Sequence, residues 1–175
     1  LETSVTFFIQ VAEDYCTLIE NGGSDNPWLF ARECLVSVLE LYRAAVLLPA
    51  TEPHSLKFKA RLEYGLWNTT RQRLQKKLSR DEYWMVFEPL ETEQPDALVG
   101  SLSDDLASIW RDVKPHLTIL SNGGAPAVAE AIWQWRFGFE THWGHHASGA
   151  VSGLQALCFG QFACVERPAS AGPAQ

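Results

Sequence analysis

Leu102-Ser103-Asp104-Asp105-Leu106-Ala107-Ser108-Ile109-Trp110-Arg111-Asp112-Val113 is the stretch whose reading decides the fold class. Leu102, Leu106, Ile109, Val113, Leu117 and Leu120 recur at an alternating four–three spacing, which places them on one stripe of a 3.6-residue helix. Ser101 or Ser103 supplies a capping side chain at its start, and Asp104 and Asp105 suit the positive N-terminal end of a helix. Pro115 lacks the amide hydrogen a helix interior needs, so a kink or an early end is expected there.

Helical periodicity extends outward from this segment in both directions. Towards the N-terminus, residues 4–21 carry Phe7, Phe8, Val11, Tyr15, Leu18 and Ile19 on one face, and Asn21-Gly22-Gly23 ends that helix. Asp25-Asn26-Pro27 opens a second helix, which runs to about Leu48 and stops at Pro49, so an αα-hairpin is expected. Residues 55–78 read as a third, less regular helix with a break near Gly65. Asp81 to Phe87 reads as one or two helical turns, and residues 88–97 as the most polar and most mobile loop. Towards the C-terminus, Asn122-Gly123-Gly124 separates the central segment from a last long helix, about 126 to the early 160s, with a bend expected at Gly144 or Gly149. No alternating strand pattern longer than a few residues appears. The predicted architecture is all-α: a single-domain array or bundle of five to six helices over residues 1–167, followed by a disordered tail over 168–175.

Bulk properties narrow the function. The 175 residues suffice for one domain that buries roughly 70% of its unfolded surface. A net charge of −7 argues against nucleic acid or an anionic membrane as the main partner. The basic run Arg71 to Lys77 reads as the solvated face and cationic end of a helix. Cys16, Cys34, Cys158 and Cys164 sit among apolar neighbours with no C-x-x-C pair, so buried reduced thiols in a cytoplasmic protein are expected. No apolar run reaches the ~18 residues of a membrane span. Phosphate-loop, dinucleotide and nucleophile-elbow motifs are absent, so no cofactor is indicated.

Chemistry concentrates in Trp133-Gln134-Trp135-Arg136-Phe137-Gly138-Phe139-Glu140-Thr141-His142-Trp143-Gly144-His145-His146, which holds three of the five histidines. On an uninterrupted helix His142 and His146 share the core-facing side with Phe139 and Trp143, and His145 lies about 100° away. A His pair at i, i+4 can chelate a metal ion, but the intervening Glu of a zinc-protease helix is missing. Asp105, Asp112 and His116, spaced seven and four apart, line up beside the seam of the preceding helix. If the two helices pack antiparallel, carboxylates and imidazoles meet, either as a metal site or as hydrogen-bonded pairs that hold the helices in register. Arg136 and Glu140 read as an i, i+4 ion pair or as an anion-binding arginine oriented by a carboxylate.

The segments Leu102 to Asp112 and Trp133 to His146, together with Tyr83-Trp84 to Pro89 and the opening helix, resemble a bacterial family of small helical proteins, the domain of unknown function 5063. The resemblance implies an all-helical bacterial cytoplasmic protein and brings no activity, cofactor or catalytic residue.

Two functions follow as expectations. The first is a non-enzymatic interaction protein whose apolar groove, lined by Trp135, Phe139 and Trp143 with Arg136 and Glu140 beside it, takes a peptide helix or small molecule. The second is a metal-dependent hydrolase or lyase using His142, His146, Asp105 and Asp112. They part on whether the Asp105 and Asp112 carboxylates reach the two imidazoles.

Overall fold

The computed structural model describes residues 2–53, 62–86, 89–91, 93, 96–122 and 124–161. In chain order these form α1 (Thr3–Asn21), α2 (Pro27–Val46), α3 (Tyr64–Lys77), β1 (Glu82–Val86), β2 (Ala97–Ser101), α4 (Leu102–Asn122), α5 (Gly124–Gly138), a π-helical turn (Phe139–Trp143) and α6 (Gly144–Phe159). The all-α prediction holds, with a small two-stranded hairpin added. The expected tail lies outside the described residues, as does Cys164.

Local signals set the first two helices. Gly22 closes α1 in the left-handed region at φ 83°, where a side chain would be strained. The Asn26 side chain accepts from the Leu29 amide at 2.9 Å and Pro27 opens the first turn of α2. Cations of α3 finish the C-terminal end of α1. Arg73 donates to the Ile19 and Glu20 carbonyls, and Lys77 donates to the Gly23 carbonyl at 3.3 Å. The basic run thus satisfies the orphan carbonyls of another helix.

Helix α4 is the centre of the fold. It packs against α1, α3, α5 and α6, while α2 packs against α1 and α6. Its stripe Leu102, Leu106, Ile109 and Val113 is buried, as the spacing predicts. Pro115 does not end α4, which continues to Asn122. Aromatic side chains pin the helices to one another through their polar tips. Tyr15 donates to the Leu106 carbonyl at 2.7 Å, Trp28 to Cys158 at 3.1 Å and Trp135 to Val113 at 3.0 Å. Each buried ring gains apolar burial and leaves no donor unsatisfied.

Three expectations need correction. The segment around Tyr83 is a strand, not a helical turn: β1 pairs antiparallel with β2, with Tyr83 opposite Gly100 and Trp84 opposite Val99. Two strands alone are marginal, and this pair is docked by Tyr83, which enters a slot that lacks side chains at Gly100, Gly149 and Gly153. The third helix is not continuous over its expected span: Leu62 and Glu63 are not helical and α3 begins at Tyr64, so the break expected near Gly65 falls just before it; residues 54–61 are outside the described set. The last helix is interrupted by the π turn at 139–143, not by a bend at a glycine. Eight residues separate Trp135 from Trp143, more than the 7.2 of two α turns. The wider turn absorbs the excess and lets both rings face the core.

A Cβ added at Gly149 would overlap the Tyr83 hydroxyl. Gly149→Ala is therefore expected to displace Tyr83 and loosen the hairpin. Amide exchange in residues 82–86 and 97–101 should rise by roughly tenfold, in line with the 1–3 kcal/mol typical of overpacking. Exchange in α1 and α2 should stay unchanged.

Candidate functional site

Helices α4 and α6 run antiparallel, and two aspartates of α4 meet two histidines across the interface. Asp105 Oδ1 lies 2.9 Å from His146 Nδ1, and Asp112 Oδ2 lies 2.6 Å from His142 Nδ1. The aspartates are seven residues apart, about 10.5 Å of helix rise, and the histidines four apart, about 6 Å. The two imidazole rings are nevertheless in edge contact, with centroids 4.8 Å apart. The sequence-predicted residues His142, His146, Asp105 and Asp112 are thus brought together as two rungs. In both, the Nδ1 atom is engaged by a carboxylate, which directs Nε2 away from it.

The rungs differ in environment. Asp105 is 5% exposed and also accepts from the Tyr83 hydroxyl at 2.7 Å. Burial pushes its carboxyl pKa up, against the pull of the hydrogen bonds from His146 and Tyr83. Burial, reinforced by the bond to Asp105, raises the Tyr83 phenol as well, so Tyr83 is a donor at neutral pH. On the second rung, the hydrogen bond to Asp112 raises the His142 pKa despite partial burial. His116, which the spacing grouped with these residues, borders the Asp112–His142 rung without hydrogen-bonding to it. It is 8% exposed beside the Trp135 ring, and burial lowers its pKa to about 4.

Each rung opens into its own cleft. The Asp105–His146 rung and Asp104 form the floor of a cavity of about 500 Å³. Trp67, Asn68 and Arg71 of α3 form one wall, and Met85 and Val99 of the hairpin form another. The Asp112–His142 rung opens into a cavity of about 360 Å³ beside Arg111, His116 and Thr141. The carboxylates of Asp104 and Asp105 and the His146 imidazole offer ligand atoms that all lie within 4.8 Å of one another. Among the described residues no other group has this convergence. Asp104 was legible only as a helix-start residue: its amide donates to the Ser101 hydroxyl at 3.2 Å, which makes Ser101 the cap. Asp81 was missed. Its carboxylate accepts from the Ser103 amide at 2.7 Å and the Ser101 hydroxyl at 2.9 Å, tying the start of β1 to the start of α4.

The aromatic groove is not there. Trp135 and Trp143 are both 0% exposed, and Phe139 packs edge-on against Trp143 and Tyr42. The Trp143 indole donates to the Trp135 carbonyl at 3.1 Å. Rings of this size with satisfied donors are core, and they leave no surface for a ligand. Arg136 forms the predicted ion pair with Glu140 at 2.9 Å, and its guanidinium also donates to the Leu48 carbonyl at 2.9 Å. It therefore ties α5 to the end of α2 and is not free to receive an anion. The thiols of Cys16, Cys34 and Cys158 are buried and reduced. Burial raises all three pKa values, to about 12 for Cys16 and about 11 for Cys158, so none is a nucleophile.

Residues 1–159 match a family described as Domain of unknown function (DUF5063). The chain belongs to that family. No curated protein matches it. Among solved structures it is similar to protein BF1032 from Bacteroides fragilis, with a TM-score of 0.78 and 21% identity. That match covers 90% of this chain and 94% of the other and shows a shared fold. No helix among the described residues is long and apolar enough to cross a membrane.

Two titrations check this electrostatic picture. The raised His142 pKa means that the Asp112 bond favours the imidazolium, so its stabilisation is full below pH 6.5 and fades as pH rises through the folded pKa. Asp112→Asn should move the His142 ring-proton titration down towards the ordinary histidine value. His116 behaves oppositely. Only the unfolded chain takes up its proton between about pH 6.5 and 4, so folding stability falls across that window, by on the order of 3 kcal/mol in full. His116→Phe should flatten that part of the acid limb in denaturant melts.

Proposed function

We propose that the protein is a metal-dependent hydrolase or lyase whose centre is Asp104, Asp105 and His146. The observation that carries this reading is the convergence of two carboxylates and one imidazole within 4.8 Å on the floor of an open cleft. Three protein ligands leave a position for water or substrate, the arrangement of catalytic rather than structural sites. A divalent ion there would lower the pKa of bound water towards neutrality and polarise a substrate oxygen.

The surroundings favour this chemistry. A buried carboxylate with a raised pKa is stabilised by a nearby cation. An ion held by this trio would replace the hydrogen bond that now joins Asp105 Oδ1 to His146 Nδ1 and would take those two atoms as ligands. Tyr83 fixes the second Asp105 oxygen. His142, in contact with the His146 ring and favoured in its protonated form by Asp112, is a proton donor one helical turn away. The partner that fits a cleft of this size is a small molecule, not a peptide helix.

Metal-free protein carrying no histidine tag should bind one Zn²⁺ or Mn²⁺ per chain in calorimetry. At a hundredfold excess of ion over Kd, its melting temperature should rise by about 5–10 °C. Asp104→Asn and His146→Gln should abolish both effects, whereas Asp112→Asn should keep them. No heat and no thermal shift with wild-type protein would remove the metal reading.

A further inference from the structure

Arg71 stands in the wall of the same cleft, on α3, facing an acidic floor. It is half-buried, and its guanidinium sits over the Trp67 ring, 5.8 Å from the centroid. Among the described residues its one hydrogen bond is a long 3.4 Å contact to Asn68 of its own helix, and none of their carboxylates pairs with it. Other nearby cations are committed elsewhere. Arg73 and Lys77 finish α1, Lys114 pairs with Glu20 at 2.7 Å, and Arg111, although its guanidinium also sits over the Trp67 ring at 5.4 Å, pairs with Asp112 at 3.7 Å and lines the second cleft. An arginine held in place by an aromatic face, with most of its donors unassigned, is a recognition element for a planar or tetrahedral oxyanion.

Charge decides what that oxyanion meets. Without an ion, Asp104 and Asp105 repel any anion that approaches Arg71. A divalent ion offsets the two carboxylates, and Arg71 then leaves the cleft with one net positive charge. The Tyr64 ring, 72% exposed, lies beside Trp67 at 5.1 Å between centroids, and Met85 and Val99 face it from the hairpin. A ligand that fits carries an anionic head for the floor and an apolar or ring-containing body for the mouth.

We infer, granting the metal centre proposed above, that the ligand is a phosphate ester whose phosphoryl group bridges the ion and the Arg71 guanidinium. Phosphate is favoured over a carboxylate because its tetrahedral oxygens can serve the ion and the guanidinium fork together. Arg71 is the specificity residue, and Asn68 lies beside it to orient it.

The test uses the whole chain loaded with Mn²⁺ and inorganic phosphate as the probe. Bound Mn²⁺ broadens the ³¹P resonance of phosphate that reaches its coordination sphere, and calorimetry gives both affinities. Wild-type protein should broaden the resonance, and should bind acetate more weakly than phosphate. Arg71→Gln should weaken phosphate by about tenfold or more, the size of one lost charge-assisted hydrogen bond. Its Mn²⁺ affinity should be unchanged, which also shows that the variant is folded. Arg71→Lys should recover only part of the loss, since it restores charge without the fork. Unchanged Mn²⁺ binding with no phosphate binding, or with equal phosphate binding in wild type and Arg71→Gln, overturns the phosphate inference and leaves the metal centre standing. Failure of wild-type protein to bind Mn²⁺ removes both.

Discussion

Asp105 carries a carboxylate into the middle of a helical core, and three parts of the molecule converge on it. A buried charge is costly unless it is paired and hydrogen-bonded. His146 answers one oxygen from α6 and Tyr83 answers the other from the hairpin. The side chains that satisfy Asp105 are therefore the ones that dock α6 and the hairpin onto α4. Removing Asp105 would leave a phenol and an imidazole without their acceptor, and the hairpin without its anchor. The same requirement explains the glycines at 100, 149 and 153, whose missing side chains let the Tyr83 ring reach the carboxylate.

Structure and chemistry share α4 without competing for the same face. Its apolar stripe Leu106, Ile109 and Val113 faces the core, and Asp105 and Asp112 border that stripe on the side where α6 crosses. Because the histidines are engaged at Nδ1, the rungs serve as helix-register devices and as proton-handling groups together. The two clefts lie at successive levels of one interface, so a change in packing between α4 and α6 alters both. The shared fold with the Bacteroides fragilis protein speaks to this scaffold, and at 21% identity it speaks to nothing finer.

Much of this was readable in the sequence, for physical reasons. The four–three spacing of Leu102 to Val113, the Asn26-Pro27 start and the Gly22 stop are local signals, and each appears as read. The rungs were also legible, because Asp105 and Asp112 lie two turns apart and His142 and His146 one turn apart, which leaves few ways for antiparallel helices to arrange them. The hairpin was not legible. Tyr83-Trp84-Met85 is apolar on both faces, so it lacks the alternation that marks a strand, and its partner lies beyond an intervening loop. Asp104 was hidden by a sufficient local explanation, the charge preference of a helix start. The aromatic groove failed because composition reports that tryptophans are abundant, not which side of a helix they occupy.

The π turn has one further consequence, for how a chain of this kind tolerates change in length. The turn holds one residue more than an α turn would, between Trp135 and His146. Shortening the segment by a residue would return it to plain α-helix, with no penalty in backbone hydrogen bonding. The seven residues left between the two tryptophans would span nearly the 7.2 of two α turns, so everything beyond would keep its facing to within about 20°. Trp143 would stay on the core side and His146 would still face Asp105. A further residue would have no such slack and would turn everything beyond it by about 100°. Elsewhere in a helical array a surface loop absorbs a gained or lost residue. Here the helix itself has absorbed one, and the segment admits a deletion more readily than an insertion.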